Sequence, residues 1–429
     1  MCRRRQMLLA CLCLILPLAV VAPSAATVRR SGGGDPYATN QSYILPSLGP
    51  QPAFNLFGLD HGTYDNNPAD YPKEFAMDHR LGGRWTHFNG NAIHWNGGTP
   101  DWGSLDYGVK LAREHGLAVM LSLGGDPHAC SIQPAPSPIY NCPPTTPADL
   151  AAYKSFVRQE VLRYRNVVTY YESWVEPNHT GKWPPYPNPT QYAALLETEY
   201  SVFQAVNQEY GLHLKLVFAG PNGFSNEPGA AGGMAVLPWT YQVLNALGSQ
   251  RPFDIVGLHP FRFAPVAPSV KQFVNVQGIP DAPGSSGPFP QDDCGSTAAR
   301  KGIYCEMTWA DEISSYEQLF VNHYGFQPDL WLTEFGWPGV AQMPVDPVPT
   351  ASYYPLYQAQ TVALTEAYKV ILSLPFVKAA SWFNERDYVP GVPTPDPPFY
   401  ADMGLLKSNF GYKPAAFAFE RLSQEYSNR

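Results

Sequence analysis

The chain has 429 residues, 45% of them hydrophobic and 14% aromatic, a composition that excludes a disordered or coiled-coil protein. Only 15% are charged, proline reaches 45 residues, and the formal net charge is −8 with no basic tract after residue 30, which excludes binding along a nucleic-acid backbone. The length suits one large barrel with insertions or two smaller domains.

The N-terminus begins with Arg3, Arg4 and Arg5, continues through the mostly apolar run Met7–Val21, and reaches the small residues of Pro23-Ser24-Ala25-Ala26. The run is too short to span a bilayer, so residues 1–26 read as a secretory signal peptide cleaved near Ala26. Loss of its three arginines takes the formal charge from −8 to −11. Residues 27–50 read as an N-terminal extension and residues 51–429 as one folded unit. No later segment has the ~18 uninterrupted apolar residues of a membrane helix, so an exported protein without an integral membrane segment is expected.

Of the seven cysteines, Cys2, Cys11 and Cys13 leave with the signal. The other four form two close pairs, Cys130/Cys142 and Cys294/Cys305, in stretches rich in proline, glycine and aspartate. An even count in an oxidising compartment predicts two disulfides that staple loops. A four-thiolate zinc site is the competing reading, but its ligands are normally only two to four residues apart.

Short β-rich apolar runs predict strands at Phe54–Asp60, Gly83–Phe88, Ala118–Leu123, Val167–Trp174, Lys215–Ala219, Phe253–Leu258, Leu330–Thr333 and Lys378–Phe383. Helical patterns follow each in turn, at Pro68–Arg80, Ser104–His115, Pro147–Tyr164, Pro189–Tyr210, Pro238–Leu247, Asp311–Tyr324, Tyr357–Leu372 and Lys413–Glu425. Eight such units predict an α/β fold with a parallel sheet closed into a (β/α)8 TIM barrel with long βα loops. A doubly wound sheet is the alternative, but no Gly-x-Gly-x-x-Gly follows the first strand. The irregular stretch at about 262–310 is expected to be an inserted loop or small subdomain pinned by Cys294 and Cys305.

In such a barrel the chemistry sits where strands end. Strand four ends in Tyr171-Glu172-Ser173-Trp174-Val175-Glu176-Pro177-Asn178, and strand seven in Trp331-Leu332-Thr333-Glu334-Phe335-Gly336-Trp337. Each carries a carboxylate to the same rim, and paired carboxylates are the minimum machinery for cleaving a glycosidic bond.

These two motifs, 158 residues apart, resemble those of clan A of the glycoside hydrolases, the strand-four motif being most similar to family 39. Gly404-Leu405-Leu406 followed by Lys413-Pro414-Ala415 is similar to the clan's passage into helix eight, so the resemblance runs from about Phe54 to Leu422. It implies that Glu176 is the acid/base, Glu334 the nucleophile, and the mechanism retaining. The clan has Asn before its acid/base, where its amide contacts the sugar 2-hydroxyl; here Val175 stands, and Asn89, Asn91 and His128 are the candidates to replace it.

Alternation places Glu172, Trp174 and Glu176 on one strand face, with Glu172 inside the barrel and Arg84 on strand two as its counter-ion and an aid to keeping Glu334 ionised. A structural ion pair is the plainer reading of Arg84. His259, ending strand six, resembles a clan position near the nucleophile, and Trp382, ending strand eight, resembles the floor of the −1 sugar site. Asn178 and Trp337 are counted with the site, and Trp85, Trp95, Trp183 and Trp337 are further candidate sugar platforms, with core packing as the alternative for each aromatic. Asp60 and His61 lie at the same rim without an assigned role.

No His-Glu-x-x-His or Gly-x-Ser-x-Gly occurs, so neither a catalytic metal nor an α/β-hydrolase esterase is indicated. The expectation is a secreted retaining β-glycosidase acting on an oligo- or polysaccharide, with no cofactor. A carbohydrate-binding protein on an inactive barrel and a transglycosylase are the alternatives.

Overall fold

The structure is a computed structural model that describes residues 48–61, 69–88, 94–96, 99–124, 143–226, 232–262, 267–279, 304–339, 357–388 and 401–427. Eight strands alternate with eight helices. The strands are β1 (Gly58–His61), β2 (Trp85–Phe88), β3 (Ala118–Ser122), β4 (Tyr170–Glu172), β5 (Lys215–Phe218), β6 (Ile255–Leu258), β7 (Leu330–Phe335) and β8 (Val377–Trp382). Each pairs in parallel with its sequence neighbours, and β8 returns to β1, which closes the barrel. The helices are α1 (Tyr71–Leu81), α2 (Gly103–Glu114), α3 (Pro147–Tyr164), α4 (Pro189–Tyr210), α5 (Val236–Leu247), α6 (Trp309–Tyr324), α7 (Gln358–Ser373) and α8 (Pro414–Glu425).

Local chemistry sets the helix starts. Thr146 accepts from the Asp149 backbone while the Asp149 carboxylate returns to the Thr146 N–H, and Thr308 with Asp311 repeats the arrangement at α6. Asn188 caps α4 by accepting from the Gln191 N–H, and a proline holds the first turn of both α3 and α4. Each cap contributes about 1 kcal/mol.

Two antiparallel hairpins interrupt the alternation. His94–Asn96 pairs with Thr99–Asp101 before α2, and Gln272–Asn275 pairs with Tyr304–Met307 before α6. The second lies in the stretch expected to be an inserted loop. Its Cys305 is buried and disulfide-bonded. Cys130, Cys142 and Cys294 lie outside the described residues, as does the expected signal peptide. No helix among the described residues is long and apolar enough to cross a membrane.

The barrel interior is layered. Trp85, Met120, Tyr170, Val217, Ile255 and Trp331 fill its lower half, and Phe54 plugs the end with ring centroids 4.7–4.9 Å from Trp85, Tyr170 and Trp331. A larger apolar layer, including Leu59, Phe335, Trp382 and Phe419, seals strands to helices. With both layers apolar, polar side chains collect at the C-terminal end of the strands.

Candidate active site

Above the apolar plug the inward positions become polar at a single height. Asp60 (β1), His87 (β2), Ser122 (β3), Glu172 (β4), His259 (just past β6) and Thr333 (β7) all meet there, buried.

Glu172 is the hub. Its Oε2 accepts from Ser122 Oγ at 3.0 Å and lies 3.3 Å from His87 Nε2. Its Oε1 accepts from Thr333 Oγ1 at 2.6 Å and from the Gly220 N–H at 3.0 Å. Burial pushes this carboxyl up, but His87, His259 and the hydroxyl bonds outweigh it and hold the pKa below the ordinary value. Two glycines make room for the hub. A Cβ on Gly257 would stand 2.8 Å from Glu172 Oε1, and one on Gly220 would stand 2.3 Å from His259 Cδ2.

His87 is held from both sides, with Nδ1 2.8 Å from Asp60 Oδ2 and Nε2 2.6 Å from Ser122 Oγ. Burial lowers its pKa, but Asp60 and Glu172 raise it further, to about 10, so the ring is an imidazolium at neutral pH.

Glu334 reaches this layer through an irregularity. Leu332 pairs with Ala380 and Phe335 with Trp382, so three residue steps of β7 span two of β8. With Trp331 and Thr333 facing inward, simple alternation would aim Glu334 at the helices. The extra residue re-aims it. Glu334 Oε1 lies 3.9 Å from His87 Nδ1, and Oε2 lies 3.7 Å from His259 Nδ1.

Glu176 arrives by a different device. β4 stops at Glu172, and Trp174 and Glu176 both adopt left-handed backbone, with φ of 57° and 47°. Non-glycine residues pay for this conformation in strain, which is tolerated where the surroundings fix it. Asn178 supplies that fixing: its amide donates to the carbonyls of Asn222 and Met234, and its Oδ1 accepts from the Asn222 N–H at 2.7 Å. Glu176 Oε1 then lies 3.1 Å from His259 Nδ1. One ligand atom each from Glu176, His259 and Glu334 lie within 4.8 Å of one another.

The surroundings shift the two carboxyls in opposite directions. Burial raises Glu334 to about 8, with Asp60 and Glu176 adding to it against the opposing His259 and His87. Burial also raises Glu176, but the bond from His259 overrides this and takes it down to about 2. His259 is lowered by burial but raised to about 9 by the three glutamates around it. At neutral pH the pair therefore carries one proton and one negative charge, with an imidazolium between them. The same three side chains have the spacing of a cation site, but His259 already supplies positive charge there.

The structure brings Glu176, Glu334, Glu172 and His259 together and corrects several of the other expectations. Arg84 is exposed, and its N–H bonds the Phe57 carbonyl ahead of β2, so the counter-ions of Glu172 are His87 and His259. Trp85 and His87 take the inward positions of β2, which leaves Arg84 outside and at the wrong end of the strand. Trp174 does not share a face with Glu172 and Glu176: its ring packs on Tyr153 and Trp183 and bonds the Lys182 carbonyl. Trp382 and Trp337 are not sugar platforms, being buried against Phe335 and Trp309 in the outer layer, with Trp382 Nε1 bonded to the Met403 carbonyl. Strand alternation puts Phe383, not Trp382, on the mouth side of β8, where it packs on Phe261. Trp85 and Trp183 are likewise core, and Asn178 positions a loop. The side chains of Asn89, Asn91, Trp95 and His128 lie outside the described residues.

His87, Ser122 and Thr333 were missed as site residues, and Asp60 had no role. The signal for His87 was its two-residue spacing from Trp85, since a bulky tryptophan filling the barrel puts His87 on the same face at the rim.

No family model matches the chain, and no curated protein matches it. Solved structures do. A family 39 glycoside hydrolase from the gut symbiont Bacteroides cellulosilyticus WH2 is 19% identical with a TM-score of 0.57, over 88% of this chain and 66% of that one. The GH39 enzyme from Xanthomonas axonopodis pv. citri is 17% identical with a TM-score of 0.53, over 88% and 68%. A GH5_18 protein from Bifidobacterium longum subsp. infantis is 13% identical with a TM-score of 0.55, over 88% and 80%. The chain spans about two thirds of the length of the two family 39 structures. Its fold is that of the (β/α)8 glycoside hydrolases of families 39 and 5, in agreement with the resemblance of its strand-four and strand-seven motifs.

Proposed function

We propose that the protein is a secreted retaining glycoside hydrolase that cleaves β-glycosidic bonds of an oligo- or polysaccharide, with Glu334 as nucleophile and Glu176 as acid/base. The observation that carries this is the approach of these two carboxyls to within 4.8 Å at the ends of β7 and β4. Retaining enzymes hold their carboxyls about 5–5.5 Å apart, whereas inverting ones leave ~6.5–9.5 Å for a water. In the first step Glu334 bonds to the anomeric carbon while Glu176 gives its proton to the departing oxygen. In the second, Glu176 takes a proton from water, which displaces Glu334 and restores both groups.

The chain's own residues prepare these steps. The first step needs the pair's proton on Glu176 and the charge on Glu334. His259, within 3.7 Å of both carboxylates, stabilises the negative charge on either one, so the proton can change sides without an unpaired charge being left. His87 and the Glu172 hub hold Glu334 and His259 in place from below. Val175 offers no hydrogen bond to the sugar 2-hydroxyl. Asn384, at the end of β8 with an Oδ1 that has no partner among the described residues, is the amide we assign to that task.

The test is a screen of aryl β-glycosides and β-linked polysaccharides with wild type, Glu334→Ala and Glu176→Ala. Both variants should lose at least ~10³-fold in kcat. Azide should restore turnover of Glu176→Ala on aryl substrates and yield a glycosyl azide of retained configuration. An inverted product, or full activity in Glu334→Ala, refutes the assignment. Export is tested separately by the N-terminus of the mature protein, expected after Ala26.

A further inference from the structure

A second buried cluster lies on the seam where the barrel closes. His61 is the last residue of β1, Glu74 lies in the first turn of α1, and Glu385 follows β8 by three residues. One ligand atom from each lies within 4.8 Å of the other two, and all three side chains are buried. His61 Nδ1 and Glu74 Oε2 are 3.4 Å apart. That is about the separation of two ligands on one tetrahedral ion with bonds of ~2.1 Å.

Three further observations point to a cation rather than a closed ion-pair network. First, Glu385 Oε2 has no hydrogen-bond partner among the described residues, although Glu385 is only 4% exposed, and Asp78 Oδ1 is likewise unpartnered. Second, the imidazole is oriented as a ligand. Its Nε2 lies 3.3 Å from Asp78 Oδ2, and its ring is clamped between Phe75 and Phe88, with centroids 4.4 and 5.6 Å away. A carboxylate behind a histidine, fixing its ring and tautomer, is the usual second layer of a metal site. Third, three buried acids crowd one imidazole. Glu74, Asp78 and Glu385 surround His61, and the guanidinium of Arg386 takes Glu74 Oε1 at 2.7 Å and leaves Oε2 facing His61. Burial of several acids together is costly unless protons or a cation neutralise them.

We propose that His61, Glu74 and Glu385 form a binding site for a divalent transition-metal ion of the Zn2+ type, oriented by Asp78, that ties β1, α1 and the chain leaving β8 together. One imidazole with two carboxylates favours such an ion over Mg2+ or Ca2+, which take oxygen ligands alone. The site lies next to Asp60 in sequence and is independent of the glycosidase reading, since none of its ligands touches the reacting carboxyls. Its role is to hold the closing seam rigid beside the catalytic layer.

The experiment is calorimetric titration of Zn2+ into tag-free, chelator-stripped full-chain protein, with thermal unfolding followed in parallel. Wild type should bind the ion and gain Tm with rising Zn2+. Glu385→Gln should weaken this binding at least ~10-fold, and Asp78→Asn should weaken it by ~10-fold through the misoriented His61. Glu176→Gln should keep it, which separates this site from the Glu176–His259–Glu334 cluster. Circular dichroism confirms that each variant is folded, and Asp78→Asn carries the test if Glu385→Gln does not fold. No binding by wild type up to millimolar Zn2+ overturns the proposal, because the cluster is then neutralised by protons alone. Unchanged affinity in the folded variants overturns it equally.

Discussion

The imidazole of His259 meets Glu176 at 3.1 Å through Nδ1 and turns the same nitrogen toward Glu334 at 3.7 Å, so one buried ring serves both carboxylates. Removing it leaves two acids within 4.8 Å with no charge between them. His259→Gln should lower kcat by about 10²-fold or more with a smaller effect on KM. Steady-state kinetics on an aryl β-glycoside, with substrate affinity measured on Glu334→Ala backgrounds, checks this.

The pair's single proton predicts a pH profile. Glu334 is raised to about 8 and Glu176 lowered to about 2, so the pair keeps one proton between those limits. As pH rises through about 8 the pair loses it and the acid step fails; a second proton is taken up only toward pH 2. The plot of kcat/KM against pH should therefore fall on the alkaline side near 8 and stay flat down to about pH 4.5. Replacing Glu176 by Gln should abolish that alkaline limb in the residual activity.

Arg84 and His87 make a paired test. Arg84 is exposed and away from the site, so Arg84→Ala should change stability by no more than about 0.5 kcal/mol and leave kcat intact. His87→Ala removes the partner of both Asp60 and Glu172, leaving buried charges uncompensated. It should cost about 3–5 kcal/mol and most of the activity. Urea unfolding and kinetics on both variants provide the comparison.

Gly220→Ala introduces a methyl 2.3 Å from His259 Cδ2 and 2.8 Å from Thr333 Oγ1. Overpacking of this kind costs about 1–3 kcal/mol. Because it displaces His259, it should reduce kcat more than it reduces Tm.

Behind β4, Glu160 and Glu199 are buried together, and burial raises each to about 8, with Glu199 adding to the shift at Glu160. A raised acid stabilises fully below its unfolded value, and that contribution is lost as pH rises toward 8. Glu160→Gln removes the titration, so it should gain on wild type between pH 5 and 9 by on the order of 2 kcal/mol. Unfolding curves across that range test the sign.

The strand–helix alternation was legible because buried strands and amphipathic helices leave different periodicities. α3 and α4 match their predicted limits because proline and a capping side chain fix where a helix begins. Glu176 and Glu334 were legible because each directly follows or ends an apolar run and the two motifs resemble those of a known clan. Which way a side chain points at a strand end was not legible. Arg84 and Trp382 were each placed on the wrong side by one position, since a register error of one residue reverses the face.

The amino-acid order alone settled how many units the chain has, where the capped helices α3 and α4 begin, and which two acids stand at the rim. Hydrophobic spacing and capping act within a few residues, so they are written locally. The polar layer of Asp60, His87, Ser122, Glu172, His259 and Thr333 was decided only by closure of the barrel. Six separate strand ends become neighbours there because the sheet returns to its first strand, and a bulge in β7 and a left-handed turn after β4 then aim the two acids. Those are relations between distant segments, and no local pattern encodes them.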